Sequence, residues 1–117
     1  MIKFDLLQKE AKKSEDKEAF QVLTRKANFR IGVGARLESP TKTVFFIEIT
    51  ANLYSGNPDL ELDFLEKNLT VLRKLKKRGY SLVSDADGTV SCELTVPLKN
   101  LAREYNVTKS MIERFLK

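Results

Sequence analysis

Histidine is absent from this 117-residue sequence, and cysteine occurs only once, at Cys92. A lone cysteine cannot form a disulfide within the chain, and zinc sites built from cysteine and histidine are excluded. The Ser-His-Asp and Cys-His arrangements of hydrolases are excluded as well, because both require histidine. An enzyme built on this sequence would depend on carboxylates, lysine, tyrosine or a bound metal. We find no such catalytic arrangement and expect a non-enzymatic binding protein with no cofactor and no metal.

Long apolar runs are also missing. No stretch approaches the ~18 consecutive apolar residues of a membrane-spanning helix. The first residues, MIKFDLLQKEAKKSEDKE, lack the apolar core of a signal peptide. These absences predict a cytoplasmic protein that does not contact a membrane. The composition is 42% hydrophobic and 32% charged, which with this length favours one folded domain over disorder.

The formal net charge is +5, which is compatible with binding to a polyanion such as nucleic acid. A lysine-rich surface that only keeps the protein in solution would give the same value. The segment LRKLKKRGY concentrates basic residues at the end of a predicted helix. Such residues complement the helix dipole, which we favour, or form a patch that contacts phosphates.

Hydrophobic alternation with a period of two predicts four strands in two antiparallel hairpins. The apolar positions of the first hairpin are Phe29, Ile31, Val33, Ala35 and Leu37, then Phe45, Ile47, Ile49, Ala51 and Leu53. Those of the second hairpin are Tyr80 and Leu82, then Val90, Cys92, Leu94 and Val96. ESPTK supplies the first turn, and SDADG, at Ser84–Gly88, supplies the second. DADG also resembles the start of a calcium loop, but Val96 stands where the last glutamate ligand is required.

Helical spacing is found at residues 2–13 and again from Asn57 to about Lys77, where Gly79 suits the helix end. The segment 15–27 is open to two interpretations: a second helix capped by Ser14, or a strand. The sequence therefore predicts one α+β domain, 1–117. Its expected architecture is an antiparallel sheet of about four strands, with helices packed on one face and a C-terminal helical hairpin.

The C-terminal segment LAREYNVTKSMIERFLK predicts two short helices with a break at Asn106–Val107–Thr108. Leu101 and Tyr105 share one face, and Ile112 can pack against them. LAREYNVT resembles the helix-turn-helix motif of transcriptional regulators, with Asn106 in place of the usual glycine. The resemblance is confined to residues 98–117. The alternative is a helical hairpin that only caps the sheet.

The helix-turn-helix resemblance implies DNA binding, with residues 108–117 as the recognition helix. Together with the local charge, it gives these candidate nucleic-acid-binding residues: Lys99, Arg103, Thr108, Lys109, Ser110, Arg114 and Lys117. Arginine can contact guanine, and hydroxyls at a helix N-terminus can contact phosphate.

From Asn28 onward, the order of elements resembles the type III secretion chaperones and the related YbjN-like proteins. The similar features are the helix LEKNLTVLRKLKKRGY, the hairpin turned at DG and the proline before the last helices. The resemblance implies a dimer that binds a partner polypeptide through a curved sheet, without catalytic residues.

Three further residues bear on function. Phe46 lies on the outward phase of its strand, so we expect it to mark a partner or homodimer surface; a sheet edge is the alternative. Glu48 and Glu93 also lie on outward phases, where ordinary exposed strand positions explain them better than a catalytic pair. Cys92 falls on the inward phase and is expected in the core.

Overall fold

The computed structural model describes residues 5–54, 61–84 and 88–116. In this part of the chain the elements are α1 (Asp5–Lys13), β1 (Glu18–Lys26), β2 (Phe29–Ser39), β3 (Lys42–Asn52), α2 (Glu61–Lys77), β4 (Ser81–Ser84), β5 (Thr89–Thr95) and α3 (Leu98–Phe115). The strands form one antiparallel sheet in the order β1-β2-β3-β5-β4. The α+β class is confirmed, with five strands where the sequence predicted about four.

The additional strand is β1, in the segment that the sequence left open between helix and strand. Ser14 does not cap a helix there, because its hydroxyl bonds the Asp16 carboxylate in the turn after α1. Phe20, Val22 and Thr24 are aromatic or β-branched and favour a strand, and pairing with β2 satisfies the backbone groups along one side of the segment. Ala27 closes the β1–β2 turn with a left-handed φ of 52°.

The three helices cover one face of the sheet, as predicted. Leu7 and Ala11 of α1, Leu75 of α2 and Leu101 and Ile112 of α3 are buried in one cluster with the sheet. The inward strand residues of that cluster include Phe29, Ile31, Val33, Ala35, Phe45, Ile47, Ile49, Ala51, Val90 and Cys92. The alternation in the sequence therefore identified the inner face of the central strands correctly.

The predicted C-terminal helical hairpin is wrong, because α3 is one continuous helix from Leu98 to Phe115. Its buried residues Leu101, Tyr105, Thr108 and Ile112 follow one another at helical spacing and form an unbroken stripe. Asn106 lies inside this helix on the exposed side. Burial of the stripe against the sheet and α2 outweighs the weak helix propensity of the central residues.

The structure covers some of the remaining predicted features only in part. Gly79 follows the end of α2 with a left-handed φ of 104°, as expected for a helix stop. The predicted helix start at Asn57, the middle of the Ser84–Gly88 turn and Lys117 lie outside the described residues.

Candidate functional site

The residues that the sequence proposed for DNA contact do not form one surface. Lys99, Arg103, Ser110 and Arg114 are exposed on the solvent side of α3. Lys109 lies on a flank of the helix, where its ammonium is 4.0 Å from the carboxylate of Glu113. Lys99, Arg103 and Arg114 are therefore the candidate cations that remain exposed and able to contact a ligand.

Thr108 cannot contact DNA from its position. Its side chain is fully buried, and its hydroxyl lies 2.9 Å from the hydroxyl of Tyr80. Burial raises the pKa of Tyr80 to about 12, so the phenol stays protonated and is able to donate. Thr108 is thus a structural residue that fixes α3 to the segment between α2 and β4.

A second polar contact joins the end of α2 to α3. Arg78, directly after α2, donates to both carboxylate oxygens of Glu104, each at 2.8 Å. Four residues before Arg78, the ammonium of Lys74 lies 4.6 Å from the ring centroid of Phe115. Lys74 of α2 thus meets Phe115 at the C-terminal end of α3, whereas Arg78, just after α2, meets Glu104 nearer the N-terminal end. The two helices therefore run in opposite directions. The C-terminal end of α2 therefore lies beside the N-terminal half of α3.

Exposed or half-exposed cations line the outer sides of this helix pair. We define the basic helical surface as Lys67, Arg73, Lys74, Lys77, Lys99, Arg103 and Arg114. Within the described residues, none of these side chains forms an ion pair with a carboxylate. Glu104 and Glu113, the acidic residues of α3, are instead engaged by Arg78 and Lys109.

The opposite face of the sheet carries different chemistry. Phe46 lies on this outer face, as predicted, but the prediction of an exposed partner surface at Phe46 is wrong because only 1% of its area is exposed. Its ring lies over Gly34 and is parallel to the ring of Phe20, with centroids 6.3 Å apart. The guanidinium of Arg36 covers it at 4.6 Å from the centroid.

Arg36 also links two carboxylates on this face. It donates to Glu93 on β5 at 3.1 and 3.3 Å and to Glu18 on β1 at 3.4 Å. The aromatic pair and the arginine thus form a thin layer over β1, β2 and β3.

Glu48 lies beside this layer. It pairs directly with Glu93 across β3 and β5, and on its other side it faces Gly32 of β2. Burial, followed by repulsion from Glu93 and Glu18, raises the pKa of the half-buried Glu48, while Arg36 opposes the shift. Like charges opposite each other in a sheet are destabilising.

An open groove of about 580 Å³ continues from Glu48 and Glu93 toward the β4 edge. The side chains of Ser81, Ser91 and Thr95 supply hydroxyls, and Val83 supplies an apolar wall that is 62% exposed. Together with Glu18, Phe20, Arg36, Phe46, Glu48 and Glu93, these residues make up what we call the open sheet face. The sequence placed Glu48 and Glu93 on outward phases but could not place them opposite each other, since this depends on β3 pairing with β5.

Other potential sites are weak in the described part of the chain. No three histidine, cysteine, aspartate or glutamate residues there come close enough to hold a metal ion. Cys92 is buried as predicted, and burial raises the pKa of its thiol to about 12. None of the described helices is both long enough and apolar enough to cross a membrane.

Comparisons with known proteins add no relative from which a site could be transferred. No protein-family model, no curated protein and no solved structure matches this chain. The two surfaces of the protein are therefore the basis for its proposed function.

Proposed function

We propose that this protein is a non-enzymatic nucleic-acid-binding protein and that the basic helical surface contacts the phosphate backbone. The observation that carries the proposal is that cations without a carboxylate partner among the described residues lie along the outer sides of two adjacent helices. Polyphosphate chains bind such surfaces by releasing counterions, without any need to identify bases. Recognition of bases by a helix-turn-helix is not part of this proposal, because α3 is continuous.

The helix dipole explains only part of this surface. Lys74 and Lys77 lie in the last turns of α2, where cations stabilise the helix by themselves. Lys99 lies in the first turn of α3, and no acidic residue accompanies it there. A cation at that end opposes the helix dipole, so stability does not account for its placement. Attraction of an external anion is the role that the proposal gives to this cation.

The proposal is tested by titrating a fluorescently labelled DNA duplex with the protein at several salt concentrations. The logarithm of the association constant should fall linearly with the logarithm of salt concentration, by about 0.9 for each phosphate contacted. Affinity should change little between unrelated duplex sequences, because phosphate contacts carry no sequence information directly. Absence of binding at low salt would remove nucleic acid as the ligand.

A second candidate function is binding of a partner polypeptide through the open sheet face. Two observations favour it: the described helices pack on the other face of the sheet, and a groove leads along this face to the β4 edge. The function also agrees with the resemblance to secretion chaperones in the order of elements. Because Phe46 is buried, the expected homodimer would form through a sheet edge. Light scattering, which gives the molar mass in solution, tests whether the protein is a dimer.

A further inference from the structure

The pairing of Glu48 with Glu93 places two negative charges opposite each other, and the described residues neutralise this repulsion only in part. The guanidinium of Arg36 binds Glu93 and Glu18, but it is not hydrogen bonded to Glu48 in the structure. The outer face therefore holds three carboxylates around one cation. Departures from favourable local chemistry are expected mainly at functional sites.

The surroundings of this carboxylate pair suit a cationic side chain. A lysine ammonium has three hydrogen-bond donors and no acceptor, and an arginine guanidinium has five donors. The groove supplies carboxylate oxygens from Glu48 and Glu93, and the hydroxyls of Ser81, Ser91 and Thr95 stand along the same surface. The exposed Val83 adds an apolar wall suited to the aliphatic stem of a lysine.

We propose that the open sheet face docks a lysine- or arginine-bearing polypeptide segment, with one cationic side chain seated between Glu48 and Glu93. The inference rests on the second candidate function and is independent of nucleic-acid binding. Charge complementarity selects the occupant, because an acidic segment would add repulsion to the existing carboxylate pair. An extended segment also fits the groove, since alternate side chains of a strand point to the same side.

The test uses a labelled synthetic peptide of alternating lysine and valine, with a glutamate–valine peptide of the same length as the control ligand. The wild-type protein should bind the lysine peptide and not the glutamate peptide. Glu48→Gln should weaken binding by about fivefold, the upper range for a partly exposed ion pair. Glu66→Gln makes the same charge change on α2, away from the groove, and should leave the affinity unchanged.

The possible results distinguish a failure of the Glu48–Glu93 site from a failure of the polypeptide-binding function. Lysine-peptide binding that is equal in the wild type and Glu48→Gln would overturn this site while leaving a polypeptide-binding function in place. No binding of the lysine peptide by the wild-type protein would also overturn this site. Loss of binding in Glu66→Gln to the same extent would show attraction to overall charge and would also overturn the site. Self-association of the free protein that Glu48→Gln abolishes would make a second copy the occupant, contrary to the proposal.

Discussion

The hydroxyls of Tyr80 and Thr108 lie 2.9 Å apart in the core, joining the segment after α2 to the middle of α3. Thr108→Val keeps the shape of the side chain but leaves the Tyr80 hydroxyl without its partner. We expect a loss of about 1–2 kcal/mol in the free energy of unfolding, the usual cost of an unsatisfied buried group. Urea unfolding measures this loss, and Ser110→Ala, which removes an exposed hydroxyl from the same helix, is the control.

The same variant separates the two interpretations of the C-terminal segment. In a helix-turn-helix, Thr108 would face DNA, and its replacement would lower DNA affinity. In the continuous α3, Thr108→Val should leave DNA affinity unchanged at temperatures where the variant is folded. A variant of full stability with reduced DNA affinity would contradict the structural role assigned to Thr108.

In the C-terminal segment, local sequence does not decide whether the helix is continuous. The apolar spacing of Leu101, Tyr105 and Ile112 was visible, and so was the helical character of the residues. Asn106 suggested a break because asparagine tolerates a left-handed backbone. Whether a helix bends at such a residue depends on what its buried stripe packs against. Here the stripe packs continuously, so tertiary contacts override the local signal.

The central strands were predictable for the opposite reason. Their strict alternation assigns Ile31, Val33 and Ile47 to one face without any knowledge of neighbours. The environment of Phe46 was not predictable in this way, because it depends on the register of β2 with β3. That register places Gly34 directly opposite Phe46 and leaves room for the ring to lie flat on the sheet.

Gly34→Ala should therefore destabilise the fold by about 2 kcal/mol, within the range for overpacked sites. The added Cβ would collide with the Phe46 ring and lie 2.9 Å from the carbonyl oxygen of Ala19. Urea unfolding of Gly34→Ala, Phe46→Leu and the double variant measures the coupling between the two positions. The smaller leucine should relieve part of the collision, so the double variant should be more stable than the sum of the single effects predicts. Strict additivity would refute the contact.

Glu48 gives a pH-dependent prediction. Burial, then repulsion from Glu93 and Glu18, raises the pKa of Glu48 above its ordinary 4.5, so the folded state favours the protonated form. Ionisation of Glu48 therefore costs stability as pH rises through the raised pKa, and the cost is absent well below 4.5. Glu48→Gln should be more stable than the wild type at neutral pH, by about 0.5 kcal/mol for a partly exposed like-charge pair.

The measurement is the free energy of unfolding of both proteins across the acidic range. The difference between them should shrink as pH falls toward and below 4.5. A difference that stays constant with pH, or a variant less stable than the wild type at neutral pH, would contradict the assignment. A gain in stability combined with weaker binding of the lysine peptide would agree with a site that sacrifices stability for function.

The central claim is that the basic helical surface binds nucleic acid through phosphates, and one comparison of salt dependences tests it most directly. Arg73→Gln and Arg103→Gln, combined in one protein, remove one cation from each helix. Lys9→Gln and Lys13→Gln, combined in another, remove the same charge from α1. Duplex DNA is titrated with both variants and the wild type over a range of salt concentrations. We expect the log–log salt slope to become shallower by about two units for the α2–α3 variant and to stay unchanged for the α1 variant. Equal slopes for all three proteins, or an equal loss in both variants, would contradict it.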